Sequence, residues 1–181
     1  MNKTKRLVES YGRHIAIPWR DDVAPEQRVI FCVYPEYDEL RLRACLDEFQ
    51  IVTRAAEHDW ARFDLTDSFA NWLAGQKYAK SYFKNPERLT TLRSNYEGYI
   101  VSQFQAFCDD KSVSEQDVVA VSGVGSLFGF LRVKEVVDKI APLVPGRLVI
   151  FFPGSYEDNN YRLLNAYDGW GYLAVPITAD Q

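Results

Sequence analysis

The sequence predicts an α/β fold: a single three-layer domain over residues 1–181, with a mostly parallel sheet of about five strands and helices on both faces. The scaffold is of the P-loop or Rossmann-like kind, without nucleotide motifs. Three observations predict it. Continuous apolar runs rich in β-formers, at 28–34, 118–121 and 147–152, read as strands buried on both faces. The segments between them place apolar residues at helical spacing. The resulting order is strand, helix, strand, helices, strand, helix, strand, strand, the alternation that builds parallel sheets.

Residues 1–27 are a polar lead-in with scattered apolar anchors, and 4–13 within them has helical spacing. Pro18 and Pro25 make the remainder irregular. RVIFCVY at 28–34 is the first strand, and Pro35 stops it. Residues 38–57 place Leu42, Cys45, Leu46, Phe49, Val52 and Ala56 along one stripe, which predicts one helix. ARFDL at 61–65 is a short strand. Thr66 or Asp67 then caps a helix that buries Phe69, Trp72 and Leu73. Asn85, Pro86 and Glu87 form a helix start, and the stripe of Leu89, Leu92, Tyr96, Ile100 and Phe104 carries that helix to about Cys108. Residues 118–121 are a strand and 127–140 a helix. A strand at 147–152 ends at Pro153-Gly154, where the chain must leave the sheet. Residues 160–164 pair as a short strand or turn, and 172–177 make the last strand.

Composition narrows the function classes. Hydrophobic residues at 47% and charged residues at 25% are ordinary for a globular chain. The formal charge of −4 and pI near 5.3 argue against nucleic-acid binding by the isolated chain, leaving room only for a basic patch assembled in three dimensions. Three cysteines without a CxxC pair speak for a reducing compartment. Two histidines speak against a histidine-rich metal site. The N-terminal MNKTKRLVESYGRH lacks an apolar stretch of signal-peptide type, and no run is long enough to span a bilayer, so a cytoplasmic chain is expected.

Chemistry-bearing motifs are few. Gly123-Val124-Gly125-Ser126 follows a strand and precedes a helical pattern, an arrangement that can present backbone N–H groups to an anion. Arg132 beyond it could grip a phosphate or carboxylate. These four residues, Gly123, Gly125, Ser126 and Arg132, form the candidate nucleotide or anion site. The full signatures are missing, because no GxxxxGK[ST] occurs and Phe128 stands where GxGxxG needs its third glycine. A glycine turn of this kind more commonly serves tight packing. No GxSxG elbow, carboxylate cluster or histidine pair suggests catalysis, a metal or a cofactor. The excursion after Pro153 is rich in tyrosine and polar residues, and Asp168-Gly169 is a turn signal within reach of Arg162.

Three stretches carry a family resemblance: RVIFCVYPEYDELRLRACLDEF, GVGSLFGFLRVKEVVDKI and, above all, LVIFFPGSYEDNNYRLLNAYDGWGYLAVPI. They resemble the BrxB family of BREX phage-defence systems over about residues 28–177. The resemblance implies a cytoplasmic, non-enzymatic component of a multi-protein system that methylates host DNA and blocks phage replication. It implies as partners other BREX proteins, among them the PglZ phosphatase-like protein and the BREX ATPase. It brings no established catalytic residues. Tyr156, Tyr161, Arg162, Asp168 and Trp170 are the expected partner anchors, since Tyr, Trp and Arg dominate interface hot spots.

Overall fold

A computed structural model describes residues 2–167 and 169–181. The chain order is α1 (Lys3–Ile15), β1 (Val29–Tyr34), α2 (Glu39–Ala44), α3 (Leu46–Ala55), β2 (Asp59–Asp64), α4 (Ser68–Ala74), α5 (Ala79–Lys84), α6 (Arg93–Lys111), β3 (Asp117–Ser122), α7 (Val133–Ile140), β4 (Arg147–Glu157), β5 (Asn160–Leu163) and β6 (Val175–Ile177). Five strands form a parallel sheet in the order β2-β3-β4-β1-β6, and β5 pairs antiparallel with the end of β4. The expected α/β class and the mostly parallel sheet are what is found.

Strand pleating explains the three layers. Alternate residues of each strand point to opposite faces. Val29, Phe31, Val33, Val119, Val121, Leu148, Ile150 and Phe152 face one core, where Trp72, Tyr96, Ile100, Phe104, Val136 and Ile140 from α4, α6 and α7 cover them. Ile30, Cys32, Tyr34, Val118, Ala120, Val149 and Phe151 face the other, under α1 and α3. All six residues of β1 are buried, so its run has no polar alternation. In the second core the Tyr11 hydroxyl meets Thr53 Oγ1 at 2.7 Å, and Thr53 donates to the Phe49 carbonyl at 2.8 Å. Burial raises the Tyr11 phenol well above its ordinary range.

The lead-in straps the amino-terminal ends of the strands. The Trp19 indole stacks on His58 at 3.6 Å between centroids, and the Arg147 guanidinium sits 4.6 Å from the same ring. Arg147 also donates to the Arg20 carbonyl at 3.2 Å, and Arg28 to the Pro145 carbonyl at 2.7 Å.

Four local expectations need correction. The single helix expected over 38–57 is two, because the backbone at Cys45 leaves helical geometry (φ −104°, ψ 4°). Asn85-Pro86 opens a 3-10 segment, Pro86–Leu92, and α6 begins only at Arg93. The helix expected over 127–140 starts at Val133, since Val124–Leu127 is a 3-10 turn and Gly129 takes φ +78°. Pro153 does not end its strand. It still lies opposite Tyr34 in the parallel ladder, and β4 continues from Gly154 as one arm of a hairpin with β5.

Candidate functional site

Two concave regions gather the sequence-predicted residues. The first lies at the carboxyl ends of the parallel strands, where open α/β sheets form ligand crevices. Glu36, Glu39, Arg43, Thr66, Gly123, Gly125, Ser126, Pro153 and Leu164 line a cleft of about 280 Å³. Proline at 35 ends β1, and the 3-10 turn Glu36–Asp38 leads into α2. One helical turn apart on α2, Glu39 and Arg43 form an ion pair at 2.8 Å. The Tyr34 hydroxyl donates to the other Glu39 oxygen. Burial raises the Tyr34 phenol above its ordinary range, and the carboxylate beside it adds to the rise. Arg43 also donates to Thr66 Oγ1 at 3.0 Å. The Thr66 hydroxyl and backbone N–H both donate to Asp64 Oδ1, at 2.6 and 2.9 Å. Partial burial works to raise the Asp64 carboxyl, but these hydrogen bonds and the nearby Arg43 outweigh it and hold it below its ordinary value.

The glycine loop packs against this network. Gly123 adopts φ +78°, and a Cβ there would lie 2.5 Å from the Thr66 nitrogen and 2.8 Å from Asp64 Oδ1. Glycine is therefore required by close packing on the end of β2. Ser126 donates its hydroxyl to the carbonyls of Leu65 and Gly123, at 3.0 and 2.8 Å, and its N–H to Gly123 at 3.1 Å. The loop leads into a 3-10 turn, so it opens no α-helix of its own toward the cleft. Glu36 and Glu39 line the same walls. Arg132 is elsewhere, exposed, and does not share the cleft with Gly123, Gly125 and Ser126.

The second region is the face built by the β4–β5 hairpin, the loop to β6 and the start of α7. Its floor is aromatic. Phe31 lies 4.6 Å from Tyr161, 5.3 Å from Phe152 and 5.9 Å from Trp170, ring to ring. Tyr161 and Trp170 exchange backbone hydrogen bonds at 2.9 and 3.1 Å, which fold the loop back onto β5. Tyr161 is fully buried, its hydroxyl donating to the Ala174 carbonyl at 2.9 Å, so it supports the face from inside. Burial raises its phenol above the ordinary range. Trp170 and Tyr156 are half-buried and Arg162 is exposed. Asp168 lies outside the described residues. Phe128, Leu131, Arg132, Lys134, Leu163 and Trp170 line a cavity of about 560 Å³, within the usual range for ligand pockets. Tyr167, 97% exposed, directly follows the lining residue Ala166, and Leu173, 73% exposed, lies three positions beyond Trp170. The sequence reading missed both residues. The signal was there in the apolar side chains flanking the Asp-Gly turn.

Fold and surfaces together define a class: an α/β domain with a mostly parallel sheet between helices, whose strand-end cleft is bridged by its own polar side chains and whose loop after β5 leaves Tyr167 and Leu173 exposed. The family model for BREX protein BrxB matches residues 63–175, and the chain belongs to that family. It is thus a component of a BREX defence system. No curated protein and no solved structure matches the chain. Among the described residues, no helix is long and apolar enough to cross a membrane.

Proposed function

We propose that this chain is a non-enzymatic assembly factor that docks another BREX protein, such as the PglZ phosphatase-like protein or the BREX ATPase, for phage defence and host DNA methylation. The hairpin face is the docking surface. The observation that carries this reading is the concentration of exposed apolar side chains in this region: Phe128 lines the cavity with Trp170, and the exposed Tyr167 and Leu173 follow the lining residues Ala166 and Trp170 along the chain. Aromatic anchors beside a pocket are the usual makings of an interface hot spot. The test is co-purification of the tagged chain with each other BREX protein in turn. Capture of one partner, weakened by Tyr167→Ala with Leu173→Ala, supports the reading. Capture of none sinks it.

A second reading, anion binding in the strand-end cleft, is favoured by Gly123, Gly125 and Ser126 sharing that cleft with Arg43. Its difficulty is that Glu39 and Thr66 already engage the Arg43 guanidinium. A nucleotide or phosphate at 100-fold over its Kd would add about 2.7 kcal/mol of stability. Absence of any thermal shift removes this reading.

A further inference from the structure

We propose that the segment 77–93, between α4 and α6, is a binding site for single-stranded nucleic acid. It carries Lys77, Lys80, Lys84, Arg88 and Arg93 against one carboxylate, Glu87: a local charge of +4 in a chain whose formal charge is −4. All five cations are exposed. Elsewhere, Arg20, Arg41, Arg43, Lys134 and Lys139 are paired with carboxylates. Among the described residues, none of the five has a carboxylate partner within 4.0 Å. The Arg88 guanidinium donates to Ser81 Oγ, at 3.2 Å.

Aromatic rings are interleaved with these charges. Tyr78 is 61% and Phe83 65% exposed, and the Lys77 ammonium lies 5.4 Å from the Tyr78 ring. On α5, Lys80, Phe83 and Lys84 stand three and four positions apart, so ring and ammonium groups share one side of the helix. Tyr82, Leu89 and Leu92 pack against the core from outside, but 74–95 contains no fully buried residue. A solvated shelf of this length, bearing large apolar rings, gains nothing for folding from their exposure.

The chemistry favours nucleic acid over a protein partner. Lysine is depleted from protein–protein interfaces, whereas it is a common phosphate contact. Exposed rings beside a cationic track are how non-specific single-strand binders work: phosphates meet the cations while unstacked bases lie on the rings. A duplex hides the faces of its bases and would use only the cations. The acidic remainder of the chain does not veto this, because at physiological salt charges are screened beyond about 8 Å. The net-charge argument against nucleic acid therefore fails locally. The inference is independent of the docking reading, since Tyr167 and Trp170 lie on other elements.

The test is fluorescence anisotropy of the purified full chain with labelled oligo-dT and oligo-rU of about 20 nucleotides, and with a duplex of equal length. Single strands should bind more tightly than the duplex, the DNA and RNA arms identifying the preferred strand. With five phosphate contacts, affinity should fall about 100-fold between roughly 50 and 200 mM salt. Lys80→Gln, Lys84→Gln and Arg88→Gln together should weaken binding at least about tenfold at low salt. Phe83→Ala should weaken single-strand binding roughly tenfold and leave duplex binding unmoved. An equal charge change elsewhere, Lys3→Gln, Lys5→Gln and Arg54→Gln, should leave affinity unchanged. All these positions are exposed, so thermal midpoints should hold. Four results would each overturn the proposal: no binding at low salt, equal loss in both triple variants, a duplex bound as tightly as single strands, or capture of anionic vesicles but of no oligonucleotide.

Discussion

The strand-end cleft and the hairpin face are both concave, yet they treat their functional groups in opposite ways. In the cleft, Tyr34, Glu39, Arg43, Thr66 and Asp64 form a continuous chain of contacts, and Ser126 hydrogen-bonds to Leu65 and Gly123. On the hairpin face, large apolar side chains such as Tyr167 and Leu173 touch mainly solvent. A hollow at the carboxyl end of a parallel sheet is thus not by itself a ligand site. What matters is whether its polar groups already satisfy one another.

The largest expected effect separates these two regions most sharply. Gly123→Ala should destabilise the chain by roughly 3 kcal/mol, because the added methyl meets the Thr66 backbone at a left-handed residue. Urea unfolding reads this, and a neutral result would mean the loop is free to move and the cleft can open. Next, Tyr167→Ala with Leu173→Ala should weaken partner binding about thirtyfold, or ~2 kcal/mol, while stability changes by no more than about 0.5 kcal/mol. Titration calorimetry together with thermal unfolding checks the split. A loss of stability without loss of affinity would reverse the roles of the two regions.

Smaller effects probe the cleft network. Arg43→Gln should reduce stability by only about 0.5 kcal/mol, since the Glu39 pair is partly solvated. The smallest effect is a pH dependence. The Asp64 carboxyl is held below its ordinary 3.8, so its contribution is present above that value and is lost as pH falls through the lower folded value. Asp64→Asn should flatten that part of the acid limb, as measured by unfolding between about pH 5 and 2.

The sheet was legible in the sequence because its strands are buried on both faces and so appear as unbroken apolar runs. The helix boundaries were less legible. Cys45 and Gly129 break helical patterns whose apolar spacing continues across them. Pro153 was misleading for a different reason. A proline lacks a donor, but β4 there changes from one partner to another and needs none from it. Of the candidate residues, Gly123, Gly125 and Ser126 come together and Arg132 does not, because the helix that would have carried it past the loop begins only at Val133. Tyr161 is an interface anchor by residue type alone, and no local pattern announces that it bridges to Trp170 and is fully buried. The basic run at 77–93 was readable, but a whole-chain charge average conceals it.

The Trp19 strap has a consequence for the order in which the chain assembles. Its ring is held between His58, just ahead of β2, and Arg147, the first residue of β4. The hydrogen bond from Arg147 to Arg20 spans 127 positions along the chain. A contact of such range closes a long loop, which is slow and entropically opposed until the intervening structure exists. The Trp19 ring can meet His58 as soon as β2 is in place, but the Arg147 half of the strap closes only once β4 has been made.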